Sequence, residues 1–162
     1  MIHEVTGDIT LTKAQAIAHG VAPGDHFDHD LARALREQWP AMVKDFRHYC
    51  HQCHPKPGEL WEWGGVGGVR IFNLLTQTEH GHSGHPGPAT EATVNHCLRR
   101  LRHELEKHEV KSLALPKLAT GVGGLTWDKV KPLVEQHLGD LKIPIFIYTE
   151  YHKGVAAEEV GA

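Results

Sequence analysis

The glycine-rich turn Gly121-Val122-Gly123-Gly124 restricts the possible folds of this chain more than any other segment. It follows residues 112–116, an apolar run of strand length, and precedes a helical pattern that begins near Thr126. Glycine permits backbone angles closed to other residues and lets a ligand approach the main chain. Because a helix start presents unpaired N–H groups and a partial positive charge, a strand–glycine turn–helix unit suits a phosphate group. The turn matches neither a Walker A loop nor the full dinucleotide fingerprint, so a phosphate site and a simple turn both stay open.

Strand and helix patterns alternate along the rest of the chain. Apolar or alternating runs predict strands at 2–5, 16–21, 59–63, 70–76, 112–116 and 143–148. Apolar residues at helical spacing predict helices at 31–38, 40–53, 94–105 and 130–138. This alternation predicts a three-layer α/β/α domain with a central mixed, mostly parallel sheet. The segment 80–88, rich in Gly, Pro and His, is predicted to be a mobile surface loop.

Length and charge exclude several classes of protein. The 162 residues fit one domain, and a net charge of -3 predicts no general nucleic-acid binding. Three cysteines without framework spacing argue against a disulfide-stapled secreted domain. No secretory signal and no bilayer-spanning apolar run is visible, so we expect a cytoplasmic monomer that does not contact membranes.

The run Cys50-His51-Gln52-Cys53-His54 has the cysteine spacing of a zinc site. A structural zinc needs a second pair of ligands, and the sequence offers only His96 and Cys97 without a second knuckle. His80, His82 and His85 lie in a flexible segment that makes a poor metal cage. We therefore expect no metal and no cofactor.

Two further loops carry polar groups at strand ends. In Gly7-Asp8-Ile9, the Asp8 carboxylate is placed either to accept a hydrogen bond from an exocyclic amine or to close an Asx turn. The loop from Val21 to Asp30 concentrates acids and imidazoles between a strand and a helix, where ligands sit in open sheets. Such groups can transfer protons or orient water, and they can equally be solvated or cap the helix.

Together, Gly7-Asp8-Ile9-Thr10, the glycine turn after Leu115-Pro116-Lys117-Leu118, and the final strand Pro144-Ile145-Phe146-Ile147-Tyr148-Thr149 resemble a macrodomain. The resemblance covers residues 1–153 and leaves 154–162 as a flexible C-terminal tail. The segment 115–127 is most similar to the branch that contains terminal ADP-ribose protein glycohydrolase and the antitoxin macrodomain that removes ADP-ribose from DNA.

The resemblance implies a partner, which is ADP-ribose or an ADP-ribosylated macromolecule, and a set of binding residues. Asp8 and Ile9 would bind adenine, flanked by Tyr148, and the loop from Val21 to Asp30 would wrap the distal ribose and phosphates. The implied ADP-ribose-binding residues are Asp8, Ile9, Val21, Ala22, Gly24, Phe27, Thr120, Gly121, Val122, Gly123, Gly124, Leu125 and Tyr148.

The chain departs from the family pattern at two catalytic positions. The branch members keep a lysine where this chain has Gln77, and the protein glycohydrolase keeps an acid where this chain has Gly123. Glutamine forms no Schiff base and carries no charge, so the lysine-based chemistry is not carried over. Another branch positions water with an aspartate that matches Asp28, which makes Asp28 the expected catalytic group, with His26 or His29 as its proton partner.

The resulting hypothesis is hydrolysis of an ADP-ribosyl linkage at the distal ribose, on protein or nucleic acid. A non-catalytic reader of ADP-ribose and a phosphatase acting on ADP-ribose 1″-phosphate are the alternatives, because fold membership alone separates none of the three.

Overall fold

The computed structural model describes residues 1–28, 30–65, 68–79 and 85–161. In this part of the chain the strands are β1 Ile2–Gly7, β2 Ala16–Gly20, β3 Leu60–Gly64, β4 Arg70–Leu74, β5 Gln77–Glu79, β6 Pro86–Ala89, β7 Leu113–Pro116 and β8 Ile145–Tyr151. The helices are α1 Asp30–Gln38, α2 Pro40–Cys53, α3 Glu91–Lys107 and α4 Trp127–Leu138, and a 3₁₀ turn covers Ile9–Leu11. The described helices do not include one with the length and apolar character that crossing a lipid bilayer requires.

The main sheet of the described chain has six strands in the order β1-β8-β7-β2-β4-β3. All neighbouring pairs are parallel except β3 with β4, which are antiparallel. The predicted mixed, mostly parallel sheet is therefore confirmed. β5 and β6 form a separate antiparallel pair beside it.

Apolar residues alternate between the two faces of the sheet and build one core on each side. On β2, Ala16 and Ala18 pack with α3 and α4, whereas Ile17 packs with α1 and α2. This period of two is what a strand buried on both faces requires. The two cores give the three-layer α/β/α arrangement predicted from the sequence.

The segment 80–88 corrects one prediction. Residues 86–88, expected in a mobile loop, belong to β6, which pairs with β5 through Gln77–Ala89 and Glu79–Pro86. Proline is tolerated there because the two-stranded ribbon has open edges. Residues 80–84 lie outside the described part of the chain.

A buried polar pair joins β2 to β4 inside the core. His19 and Asn73 are cross-strand neighbours, and His19 Nε2 lies 2.6 Å from Asn73 Oδ1. The carbonyl oxygen of Asn73 accepts, so the ring carries its proton on Nε2. Burial lowers the pKa of His19 to about 4, although the hydrogen bond to Asn73 raises it in part.

This pair predicts acid-sensitive stability. Above pH 6.5, the usual pKa of histidine, both the folded and unfolded states hold His19 neutral; below it only the unfolded state takes up the proton, until the folded pKa of about 4. We expect wild type to lose about 3 kcal/mol of unfolding free energy across this window through His19 alone. Denaturant titrations at several pH values should show a shallower pH profile for His19→Gln. Parallel profiles for the two proteins would contradict this assignment.

Candidate functional site

A cavity of about 200 Å³ opens where the carboxyl ends of β2 and β7 meet. This is the edge of an open parallel sheet where ligands bind. β2 contributes its last residues, β7 its end and the following turn, and α1 its first turn. The lining residues are His19, Gly20, Asp25, Leu31, Ala32, Gln77, Pro86, Pro116, Lys117, Leu118, Ala119, Thr120, Gly121, Val122 and Gly123.

The glycine turn forms one wall of the cavity. The Gly124 N–H donates to the Gly121 carbonyl (3.0 Å), and the Leu125 N–H donates to the Ala119 carbonyl (3.0 Å). A Cβ at Gly123 would lie 2.6 Å from the Ala119 oxygen, so this position has no room for a side chain. The Gly123 carbonyl accepts from the Ala89 N–H (2.9 Å), which fixes the turn against β6.

Four of the six turn residues predicted to contact ADP-ribose line the cavity, namely Thr120, Gly121, Val122 and Gly123. Gly124 and Leu125 do not; Gly124 instead supplies a positive φ of 78° that closes the turn. No described residue accepts a hydrogen bond from the backbone N–H of Gly121, Val122 or Gly123. These donors and the start of α1, whose Leu31 and Ala32 line the opposite wall, favour an anion in the cavity.

Asp25 organises the loop between β2 and α1. Its carboxylate is buried and accepts from the Ala22 N–H at Oδ2 (3.1 Å) and from the Phe27 N–H at Oδ1 (2.9 Å). Phe27 adopts a left-handed φ of 56° and turns its ring into the core, with ring centroids 5.4 Å from Phe46 and 5.5 Å from His19. The loop is therefore shaped by one carboxylate and one buried aromatic ring.

None of Val21, Ala22, Gly24 and Phe27, which the resemblance implied as ADP-ribose contacts, is among the residues that line this cavity. Val21, Ala22 and Phe27 are buried, and Gly24 lines a neighbouring cavity of about 470 Å³. The loop reaches the first cavity through Asp25. From the sequence, Asp25 was placed only within the loop from Val21 to Asp30, and its two-residue spacing to Phe27 was the available signal for an Asx turn.

Two of the three predicted catalytic residues, Asp28 and His26, lie beside the cavity without lining it. Asp28 Oδ2 lies 3.5 Å from His85 Nδ1, and the rings of His85 and His26 are 6.1 Å apart. The Asp28 side chain is 34% exposed, and His85 directly precedes the cavity-lining Pro86. His29 lies outside the described residues. The structure thus places His85 next to both Asp28 and His26, while the catalytic role of these residues stays a prediction.

Lys117 is the cation that sequence reasoning missed. It directly follows β7 and is the one lysine or arginine among the described residues that line the cavity. Its position at a strand end, immediately before the glycine turn, was the signal that would have identified it. Gln77, which stands where the similar branch keeps a lysine, is buried and donates from Nε2 to the Gly87 carbonyl (3.1 Å).

Asp8, Ile9 and Tyr148, the predicted adenine contacts, lie along the same edge of the sheet but do not line the cavity. Tyr148 pairs with the cavity-lining Pro116 on β7 and with Val5 on β1. Burial would raise the pKa of the Asp8 carboxyl, but hydrogen bonds from the Gly154 N–H and from the Thr10 hydroxyl and N–H outweigh it and hold that pKa below its usual value. Asp8 is therefore an ionised acceptor.

The cysteines do not assemble with other ligands among the described residues. Cys50 Sγ accepts from the Gly24 N–H (3.4 Å), and burial raises its pKa. Cys97 is buried elsewhere, with its pKa raised to about 12 by burial. The described residues contain one group of three possible metal ligands, Glu62, Glu104 and His108, away from both cavities.

Two curated proteins are similar to this chain. One is a DNA ADP-ribosyl glycohydrolase of Thermus aquaticus, 24% identical over 91% of this chain. The other is a DNA ADP-ribosyl transferase–DNA ADP-ribosyl glycohydrolase fusion protein of Thermosipho africanus, 41% identical over 36% of this chain. This chain spans 41% and 15% of the lengths of these two relatives.

Solved structures share the fold. The macrodomain of Thermus aquaticus DarG superposes with a TM-score of 0.80 at 23% identity, covering 92% of this chain and 98% of that one. Thermosipho africanus DarTG in complex with ADP-ribose gives a TM-score of 0.81 at 22% identity, covering 94% and 42%. The Macro domain family model matches residues 27–134, which is more than half of the chain. The chain therefore belongs to the Macro domain family.

Proposed function

We propose that this protein binds ADP-ribose in the cavity between the glycine turn and the loop that precedes α1, and that it hydrolyses an ADP-ribosyl linkage at the distal ribose. The observation that carries the proposal is the convergence of three anion-attracting features on one cavity. These are the glycine turn, the first turn of α1 and the Lys117 side chain. ADP-ribose, in which a diphosphate joins adenosine to a second ribose, suits such a site.

The diphosphate lies in this proposal on the backbone N–H groups of the glycine turn. Because Gly123 has no space for a Cβ, an acidic side chain cannot replace it without moving the Ala119 carbonyl. The turn therefore binds and supplies no proton-transferring group. The adenine extends from the cavity past Tyr148 towards Asp8, along the strand order β7-β8-β1.

The chemistry is assigned to the other side of the cavity. Cleavage at the anomeric carbon develops positive charge there, which the diphosphate and a nearby carboxylate stabilise. Asp28 would orient the attacking water, with its partner His85 or with His26 moving the proton. Both curated relatives are named for the removal of ADP-ribose from DNA, so ADP-ribosylated DNA is the first substrate to test and ADP-ribosylated protein the second.

A non-catalytic ADP-ribose reader is the second candidate. It is favoured by the position of Asp28 outside the cavity lining and by Gln77, whose amide is committed to the Gly87 carbonyl. ADP-ribose 1″-phosphate phosphatase activity is a third candidate. This compound is therefore included as a substrate in the turnover assay of wild type and Asp28→Asn.

Gly123→Ala should weaken ADP-ribose binding by at least about tenfold, because the new Cβ would meet the Ala119 oxygen and distort the diphosphate wall. Calorimetry with free ADP-ribose measures the change. Gly64→Ala is the matched control, since a Cβ at Gly64 meets nothing within 4 Å. Equal affinity of Gly123→Ala and wild type would remove the glycine turn from the site.

Lys117→Ala should also weaken ADP-ribose binding, by about tenfold at low ionic strength, because a cation near a diphosphate is lost. Lys129→Ala, which removes an exposed lysine on α4, controls for net charge. The difference between the two variants should shrink as salt is added. A salt-independent or absent difference would show that Lys117 does not face the diphosphate.

Asp28→Asn should slow release of ADP-ribose from modified DNA or protein by about 10²–10⁴-fold while leaving affinity for free ADP-ribose nearly unchanged. Glu37→Gln, on the exposed face of α1, is the control for removing one charge. If Asp28→Asn turns over at the wild-type rate, the catalytic assignment is wrong. If wild type binds ADP-ribose but releases nothing from any of the substrates, the reader is the correct function.

A further inference from the structure

The segment that follows β8 folds back across the end of β1. The His152 N–H donates to the Gly7 carbonyl (3.0 Å), and the Asp8 N–H donates to the Val155 carbonyl (2.7 Å). The Gly154 N–H donates to Asp8 Oδ2 (2.8 Å). Three successive hydrogen bonds thus hold residues 152–155 against Gly7 and Asp8. We call residues 152–159 the strap.

The backbone of the strap packs directly against Gly7 at the end of β1. A Cβ at Gly7 would lie 2.7 Å from the Val155 oxygen and 2.9 Å from the Ala157 nitrogen. Ala157 packs against the apolar cluster beneath α1 and α2. Only a residue without a side chain at position 7 leaves room for this path.

Glu159 anchors the far end of the strap. Its Oε2 accepts from the Tyr148 hydroxyl and from the Thr12 hydroxyl, each at 2.5 Å, and its Oε1 accepts from the Lys13 N–H at 2.8 Å. Hydrogen bonds to a carboxylate are among the stronger ones in proteins. One side chain therefore ties the strap to β8 and to the segment that follows the 3₁₀ turn.

The strap lies where the adenine end of ADP-ribose is placed by the proposed function. β1 is two strands from β7, a distance of about 10 Å along the sheet edge, with β8 and Tyr148 between them. Asp8 Oδ1 is already taken by the hydroxyl and N–H of Thr10, so Oδ2 is the oxygen left for an exocyclic amine. Gly154 donates to that same oxygen, and Asp8 is only 5% exposed.

We propose that the strap is an internal competitor for adenine, in which the Gly154 N–H stands in for the exocyclic amine and ADP-ribose must displace the segment to reach Asp8. This inference rests on the proposed binding of ADP-ribose and concerns the same site. The apparent affinity is then the intrinsic affinity multiplied by the fraction of molecules with the strap released. Glu159 is the residue that sets this fraction.

Glu159→Ala in the full chain tests the strap, with Glu158→Ala, an exposed neighbour of identical chemistry, as the matched control. We expect Glu159→Ala to bind ADP-ribose about three- to tenfold more tightly by calorimetry and Glu158→Ala to match wild type. Gly154→Pro should act in the same direction, because proline lacks the N–H and cannot adopt the φ of 76° found at this position. Amide exchange of Gly154 in wild type should accelerate when ADP-ribose saturates the protein.

The outcomes separate this inference from the proposed function. If wild type and Glu159→Ala bind ADP-ribose equally, or if the variant binds more weakly, the strap is no competitor although the cavity binds ADP-ribose. If the Gly154 amide stays protected from exchange when ADP-ribose saturates the protein, the competitor role of the strap is overturned as well. If neither protein binds ADP-ribose, the proposed function fails and the competitor role fails with it.

Discussion

The contact between Gly123 and the Ala119 carbonyl is the constraint on which the candidate site depends. With no side chain at position 123, the turn after β7 closes tightly enough for the Leu125 N–H to reach the Ala119 oxygen. The Gly123 carbonyl then receives the Ala89 N–H, which links the turn to β6 and through it to the start of α3. Because the backbone leaves room only for glycine at position 123, this position cannot also carry a catalytic side chain.

The opposite wall is built by a different device. Asp25 fixes the backbone of the loop before α1 through the N–H groups of Ala22 and Phe27, and Phe27 secures it by packing on Phe46. A carboxylate that accepts two backbone hydrogen bonds is held in one orientation, so the first turn of α1 has a defined place at the cavity. The site therefore combines a wall made of backbone, the glycine turn, with a loop that is held by the Asp25 hydrogen bonds and by the buried Phe27 ring.

Sequence patterns were sufficient to predict the fold, and they identified part of the cavity lining. The period of two along the strands depends on local backbone physics, so it predicted the sheet and the layers correctly. Gly121, Val122 and Gly123 line the cavity, and their contact with ADP-ribose stays a prediction. Asp25 and Lys117 were missed because their importance depends on which side of a loop faces the cavity, a property of tertiary packing. β6 was predicted as a loop because Pro86 and Pro88 disfavour a central strand, while a two-stranded ribbon accepts them. Residues 154–159 contact β1, β8 and the segment after the 3₁₀ turn in this structure. The expected flexibility of residues 154–162 stays a prediction.

The polar groups at the two ends of the sheet edge differ in whether they already have hydrogen-bond partners. At the β7 end, the backbone N–H groups of Gly121, Val122 and Gly123 have no acceptor among the described residues. At the β1 end, Asp8 and Tyr148 are already paired with the strap or with Thr10. A carboxylate with its pKa held below the usual value by these bonds stays ionised and keeps attracting donors. Any ligand amine must therefore offer Asp8 a better set of contacts than Gly154 does. Under the proposed function, ADP-ribose held by its diphosphate at the β7 end gains this advantage, because its adenine then competes with the strap from within the same site rather than from solution.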